Sequence, residues 1–458
     1  MTRQQQIPQE VAATRVASFI KEIPHEERSE LELQLASFVV QHATHHRPIA
    51  LVSSGGTAAD LEINAVRMLD NFSTGLRGAI SVEEFLRRGY AVIHLWRTGS
   101  ASPYARVLGQ ALGLKQANHG LSFDALGKLF AGDASMDRDQ EDYLVQQVLA
   151  QESDPWLTDT TSNHNAVGRD ARDVDSGLSL HRHLLYSTKL QKAIKERSQV
   201  IKEQRLLTVP FRTIEDYLAR LQLSAQALQD SKSLAIMYLA AAVSDYYVPA
   251  EEKSQHKIQS QEGGNEEGLT LRLSPVPKTM GLISGEWAPD AFLVGFKLET
   301  DELVLRRKAE ASVLKYGCHM VIGNLLQTRH QNVWILFPDE QQSKATVKEW
   351  PLHEISKPPQ QHYAASEAQD SLESAIIDFV VQAHFEYISN SGYAEQGAGL
   401  ESAMKRQADL EQKRRSLSRQ AFMNQMKGHA ATIAGTVIAV VLSSMINSAL
   451  QRRAVGGR

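Results

Sequence analysis

Apolar residues recur along the chain in two patterns, short continuous runs and helical spacings. Pro48-Ile-Ala-Leu-Val-Ser-Ser54 and Tyr90-Ala-Val-Ile-His-Leu-Trp96 are runs of the length of buried strands, and Ser81 to Arg88 between them reads as a helix. Strand, helix and strand within about fifty residues make a βαβ unit, which requires a parallel sheet and a right-handed crossover. The same signals return later. Ile214 to Leu228 is an amphipathic helix leading into the apolar run Ser233 to Val243. Phe292 to Phe296 and His319 to Gly323 are short strands with a helix over Leu303 to Tyr316 between them, and Trp334-Ile-Leu-Phe337 closes the sheet near an edge.

Outside this core the pattern changes. Residues 1–45 form an N-terminal helical region, with Leu31, Leu35, Phe38 and Val39 at helical spacing, and 46–390 form one α/β domain. Within it, 154–176 is rich in Asp, Ser, Thr and Asn and reads as an exposed insertion, and 251–268 as a mobile loop. Residues 395–458 are a charged helix feeding an uncharged segment, 430–450, followed by Arg452-Arg453. That segment has the length of one membrane span, but Thr432, Thr436, Ser443, Ser444 and Asn447 lower its hydrophobicity. Membrane anchor and self-associating apolar helix both fit it.

Composition narrows the classes. With 458 residues, 42% apolar and 22% charged, the chain is of ordinary globular type, and a net charge of −4 gives no case for nucleic acid. No signal-peptide pattern opens it, so the expected location is the cytoplasm, with an organelle membrane as the alternative if 430–450 is an anchor. Cys318 is the single cysteine, which excludes an intrachain disulfide and reads as a buried inert thiol. No metal-ligand spacing stands out; the nearest cluster, His42-x-x-His45-His46, reads as an exposed helix end.

Candidate chemistry concentrates after the first strand. Gly55-Gly56-Thr57 and the segment Arg67 to Gly78, with two spaced glycines, hydroxyl residues and arginines, suit a phosphate group. Neither a Walker loop nor Gly-x-Gly-x-x-Gly is present, which counts against a nicotinamide- or flavin-dependent oxidoreductase.

Several strings together resemble the phosphopantothenate–cysteine ligases of eukaryotic type. They are Ser53-Ser-Gly-Gly-Thr57, Val66-Arg-Met-Leu-Asp-Asn-Phe-Ser-Thr-Gly75 with Gly78, and Arg97-x-x-Ser100-x-x-Pro103-Tyr104. Further on come Leu239 to Pro249, Lys257-Ile-Gln-Ser260, Gly295-Phe-Lys-Leu-Glu-Thr-Asp301 and Gly323-Asn324. The resemblance covers about residues 45–340; neither the apolar tail nor the 154–176 insertion belongs to the family pattern. It implies a modified Rossmann-like, mostly parallel sheet flanked by helices, acting as a homodimer, here with a C-terminal helical tail. It further implies that 4'-phosphopantothenate is activated by a nucleoside triphosphate as an acyl-nucleotidylate, and that L-cysteine displaces the nucleotide. The chain begins with the ligase region and has no fused flavin domain, which favours ATP over CTP; magnesium would come with the nucleotide.

Site residues follow by resemblance. Asn71 would stabilise the reacting acyl group, and Ala241, Ala242 and Asp245 would bind phosphopantothenate, the alanines letting backbone amides come near the ligand. Arg67 would reach the neighbouring subunit's substrate phosphate. Gly55, Ser73, Gly75, Gly78, Phe296 and Asn324 would contact the nucleotide. Lys308, with Lys315 as competitor, would neutralise the triphosphate, and Lys257 would lie on a closing loop. A ligase-like binder without turnover is the rival from another class.

Overall fold

A strand buried on both faces needs helices on each side, and the apolar runs of this chain are of that kind. The computed structural model describes residues 23–107, 187–258, 270–338, 352–356 and 365–392, with isolated positions 16, 405, 408, 409 and 412. β1 (Ile49–Ser54) is buried along its whole length. Parallel to it in the same sheet run β2 (Ala91–Arg97), β3 (Leu206–Phe211), β4 (Ala235–Leu239), β5 (Phe292–Glu299) and β6 (Met320–Leu325). β7 (Asn332–Leu336) and β8 (Leu352–Ser356) add an antiparallel extension beside β6. The order is β8-β7-β6-β5-β4-β1-β2-β3. Trp334 to Phe337 thus marks the penultimate strand, and β8 is the edge.

The helices are α1 (His25–Ala43), α2 (Leu76–Arg87), α3 (Thr188–Lys202), α4 (Ile214–Leu228), α5 (Glu302–Tyr316) and α6 (Ala365–Asn390). One face of the sheet carries α4 and α5, with α1 packed on α4; the other carries α2, α3 and α6. Each core is built from alternate residues of the same strands: Leu51, Ile93 and Met237 on the α4 side, Val52, Val92 and Tyr238 on the α2 side. Burying one such side chain stabilises the fold by about 1.5–3 kcal/mol. The helix starts obey local chemistry. Thr213 caps α4 by accepting from the Asp216 N–H at 3.2 Å, and Asp301 caps α5 by accepting from the Val304 N–H at 2.9 Å.

Three expectations from the sequence are corrected. α2 begins at Leu76, not Ser81, because the glycines before and inside it serve close packing and do not break the helix. Met68–Asp70 is a short strand paired with Ala58–Asp60, so the segment 67–78 is a hairpin strand, a turn and a helix start. His42 is buried, not part of an exposed helix end: its Nε2 donates to the Gln204 carbonyl at 3.0 Å, and burial pushes its pKa down to about 4. Cys318 is buried as expected, and burial pushes its thiol up to about 12.

α6 is stitched to the first half of the chain. His384 shares a 2.8 Å hydrogen bond with the Tyr90 hydroxyl and donates from its other nitrogen to the Ser233 carbonyl at 2.9 Å. Arg88 reaches Asp378 at 2.7 Å, and Arg77 reaches Glu373 at 2.7 Å. The insertion 154–176 and residues 259–268 of the expected mobile loop lie outside the described residues, as does 430–450. Among the described residues no helix is long and apolar enough to cross a membrane.

Candidate active site

The strand order reverses between β1 and β4, and a ligand in such a sheet sits where the carboxyl ends of those two strands part. Here the crevice is laced by backbone. The Ala242 N–H donates to the Gly55 carbonyl at 2.8 Å, the Thr57 N–H to the Ala242 carbonyl at 3.1 Å, and the Ser244 N–H to Thr57 Oγ1 at 2.8 Å. The Ala241 N–H donates to Ser53 Oγ at 3.2 Å. Both alanine amides are therefore spent inside the chain. What Ala241 and Ala242 offer a ligand is a small side chain, not the free donor expected of them.

Asn71 is brought to the same crevice by the Ala58–Asp60/Met68–Asp70 hairpin. Its N–H donates to the Thr57 carbonyl at 3.2 Å, and its own carbonyl presses on Gly56, where a Cβ would lie 1.9 Å from that oxygen. Arg97 clamps the hairpin end with two bonds to Asp70, of 2.5 and 2.7 Å. The side-chain amide of Asn71 makes no hydrogen bond among the described residues, which leaves it available to a ligand. At the other end of the hairpin Glu62 is buried, and it accepts from the N–H groups of Arg67, Val66 and Ile258 at 2.9, 3.0 and 3.3 Å. The Arg67 and Val66 amides above all hold its carboxyl at about 2. The Arg67 guanidinium is taken up by Glu62 at 3.0 Å and by the Ile258 carbonyl at 2.8 Å.

The α2 side brings a helix start to the end of β1. Gly75 sits at φ +73° as the residue before α2, and Ser54 Oγ donates to its carbonyl at 3.0 Å. Gly78 lies against Ser54, where a Cβ would come within 2.5 Å. The first turn of α2 is thereby drawn onto the end of β1, where Ser73 Oγ accepts from the Gly75 N–H and Thr74 Oγ1 from the Leu76 N–H, each at 3.4 Å. Phe296 meets Tyr238 edge to face at 4.9 Å, with Asn324 on the next strand, buried. Sequence reasoning missed Arg77, which donates to Asn324 Oδ1, to Glu373 and to the Arg329 carbonyl, and so fixes the Asn324 amide with its Nδ2 toward the Lys297 carbonyl. Its signal was the arginine between Gly75 and Gly78.

The lysines fall differently. Lys308 is exposed and ion-paired with Glu299 at 2.6 Å. Lys315 lies thirteen residues beyond the start of α5, about 20 Å along the helix at 1.5 Å per residue, away from the carboxyl ends of the strands. Asp245 is exposed and bonded to Lys278 at 2.8 Å; Lys257 is exposed beside the Ile258 carbonyl that holds Arg67. Among the described residues no group of three or more His, Cys, Asp or Glu side chains is arranged to hold a metal ion. The crevice thus gathers Gly55, Asn71, Ser73, Gly75, Gly78, Ala241, Ala242, Phe296 and Asn324. Arg67, Asp245 and Lys257 stand at its rim, and Lys308 on the flanking helix.

Residues 209–355 match the family described as DNA/pantothenate metabolism flavoprotein C-terminal domain. Phosphopantothenate–cysteine ligase 2 of Oryza sativa subsp. japonica is 33% identical over 359 residues, 77% of this chain and 87% of that protein. The human phosphopantothenate–cysteine ligase is 33% identical over 307 residues, 67% and 81% of the two chains. Among solved structures, that of a Cab2 mutant in complex with phosphopantothenate-cysteine is similar at a TM-score of 0.57 and 30% identity, covering 82% of this chain and 99% of that one.

Proposed function

The chain belongs to the phosphopantothenate–cysteine ligases, and on that footing we propose that it joins 4'-phosphopantothenate to L-cysteine in coenzyme A biosynthesis. The observation that carries the reading is the crevice between β1 and β4, where a free side-chain amide and a helix start meet. A carboxylate is a poor electrophile, so it first takes up a nucleotidyl group, and cysteine then displaces the nucleotide. Such chemistry asks for oriented donors and cations.

In this reading the α2 start, with Gly55, Ser73, Gly75 and Gly78, receives the phosphates, while Phe296 and Asn324 take the nucleoside. Asn71 donates its amide to the oxygen that gains charge, without titrating. Ala241, Ala242 and Asp245 border phosphopantothenate. Lys308 screens the triphosphate if it leaves Glu299. Arg67 serves the neighbouring subunit of a homodimer, with Glu62 setting its position, and Lys257 stands where a loop closes over the site. ATP is the expected nucleotide and CTP the alternative; magnesium arrives with it, held by phosphate oxygens.

The test is pyrophosphate release with 4'-phosphopantothenate, cysteine and either nucleotide. Release dependent on the acid substrate is expected, faster with ATP; none with either nucleotide leaves a binding protein. Asn71→Ala should lower turnover about 100-fold or more, and full turnover would remove that residue from the chemistry. We assign the catalytic domain to the cytosol. Detergent-free fractionation of the full chain beside one ending near residue 395 decides whether 430–450 anchors it.

A further inference from the structure

We infer that Lys297 is a catalytic residue whose ammonium receives the reacting carboxylate of the acid substrate and then faces the acyl phosphate. The inference rests on the ligase reading and names a group that reading lacks. On β5, Leu293 faces the α4-side core and Gly295 faces Met280 and Cys318, while Val294 and Phe296 face the α2 side. By strand alternation Lys297 projects on the α4 side, one step nearer the mouth than Gly295. Leu239 of β4 pairs with Gly295, so two residues past that pair stand Ala241 and Lys297, with Ala241 packed against the same core. Lys297 is therefore level with a residue of the phosphopantothenate side. Its carbonyl accepts from Asn324 Nδ2 at 3.4 Å, on the nucleotide side. One residue spans the line where the two substrates must meet.

Asp245 and Glu299 attract its charge only from a distance. The carboxylates around it have cations of their own: Asp245 is bonded to Lys278 and Glu299 to Lys308. The half-buried Lys297 ammonium makes no hydrogen bond or ion pair among the described residues. Burial, and then the nearby Lys278, lower its affinity for a proton below that of an ordinary lysine. A half-buried cation without a counter-ion is costly, and the cost is relieved when an anion arrives.

The reaction needs that relief. A carboxylate oxygen attacks the α-phosphorus, the bond to the pyrophosphate oxygen breaks, and pyrophosphate leaves. Next the cysteine amine attacks the acyl carbon, the carbon–oxygen bond of the mixed anhydride breaks, nucleoside monophosphate leaves, and the amine proton passes to solvent. In the first step two anions are pressed together, and an ammonium between them offsets their repulsion. Neither lysine of α5 is so placed.

The experiment uses the full chain and its Lys297→Met and Lys297→Arg variants. Lys297→Met should lower the kcat of pyrophosphate release about 100-fold or more, with the nucleotide KM within about threefold of wild type. Lys297→Arg should recover at least about a tenth of the wild-type kcat. A Lys297→Met kcat above about a third of wild type overturns the inference, as does a loss confined to the nucleotide KM. If Lys297→Met does not melt cooperatively, Lys297→Gln is judged by the same limits. A wild-type chain that releases no pyrophosphate overturns the ligase reading and this inference with it.

Discussion

Gly56→Ala is the sharpest perturbation the crevice permits. The backbone of Gly56 is not in the left-handed region, so alanine strains nothing by its own torsion; the obstacle is contact. Its Cβ would lie 1.9 Å from the Asn71 carbonyl oxygen and 3.0 Å from the carbonyl carbon. Since real Cβ atoms do not come within 3.0 Å of a heavy atom, the Asn71 backbone must retreat by at least 1.1 Å, the gap between 1.9 and 3.0 Å. A 1 Å misplacement of a catalytic group costs about 100-fold in rate, which corresponds to about 2.7 kcal/mol of activation free energy. The overpacking itself should cost about 1–3 kcal/mol of stability. Gly89→Ala separates these effects: Gly89 sits at φ +86° with nothing within 4 Å, so alanine there costs about 1–2 kcal/mol and moves no site residue. Pyrophosphate release and denaturant unfolding on both variants form the assay. The expected outcome is that both lose stability and only Gly56→Ala loses about 100-fold in kcat/KM. If Gly56→Ala kept its activity, or both lost it in proportion to stability, the coupling of Gly56 to Asn71 would be refuted.

Two further outcomes follow from buried groups. Arg77→Met takes the cation from the fully buried Glu373 and should cost about 3–5 kcal/mol in denaturant unfolding, partly recovered in Arg77→Met/Glu373→Met; a single variant as stable as wild type would refute the pairing. Burial holds His384 at about 4, below its ordinary 6.5, so the folded state favours the neutral ring. Its stabilisation is complete above pH 6.5 and is lost as pH falls from there through about 4, by up to about 3 kcal/mol. Unfolding of His384→Gln should lack that part of the pH slope, and an unchanged slope would count against it.

β1, β2 and the crossover between them were legible because each strand is buried on both faces, so the apolar residues run unbroken. The family strings likewise marked nearly every position now found at the crevice. What stayed hidden depends on distant partners. His42 is buried by a carbonyl 162 residues away, and no local pattern distinguishes it from exposed His45 and His46. Met68–Asp70 is too short for period-two alternation to register. Gly75 and Gly78 read as loop residues, whereas Gly78 is needed where α2 touches Ser54. Lys297 lay inside a quoted string but became distinct only when its carboxylate neighbours proved to be paired with other lysines.

The bond from Arg77 to Glu373 joins residues 296 positions apart, and His384 closes on Tyr90 across a similar span. During synthesis the first turn of α2 leaves the ribosome long before the helix that fastens it. Contacts of such sequence separation form late and slowly. The α2 side of the crevice is therefore completed last, after α6 has emerged, and a nascent chain halted before residue 373 should carry β1 and β2 without a working site.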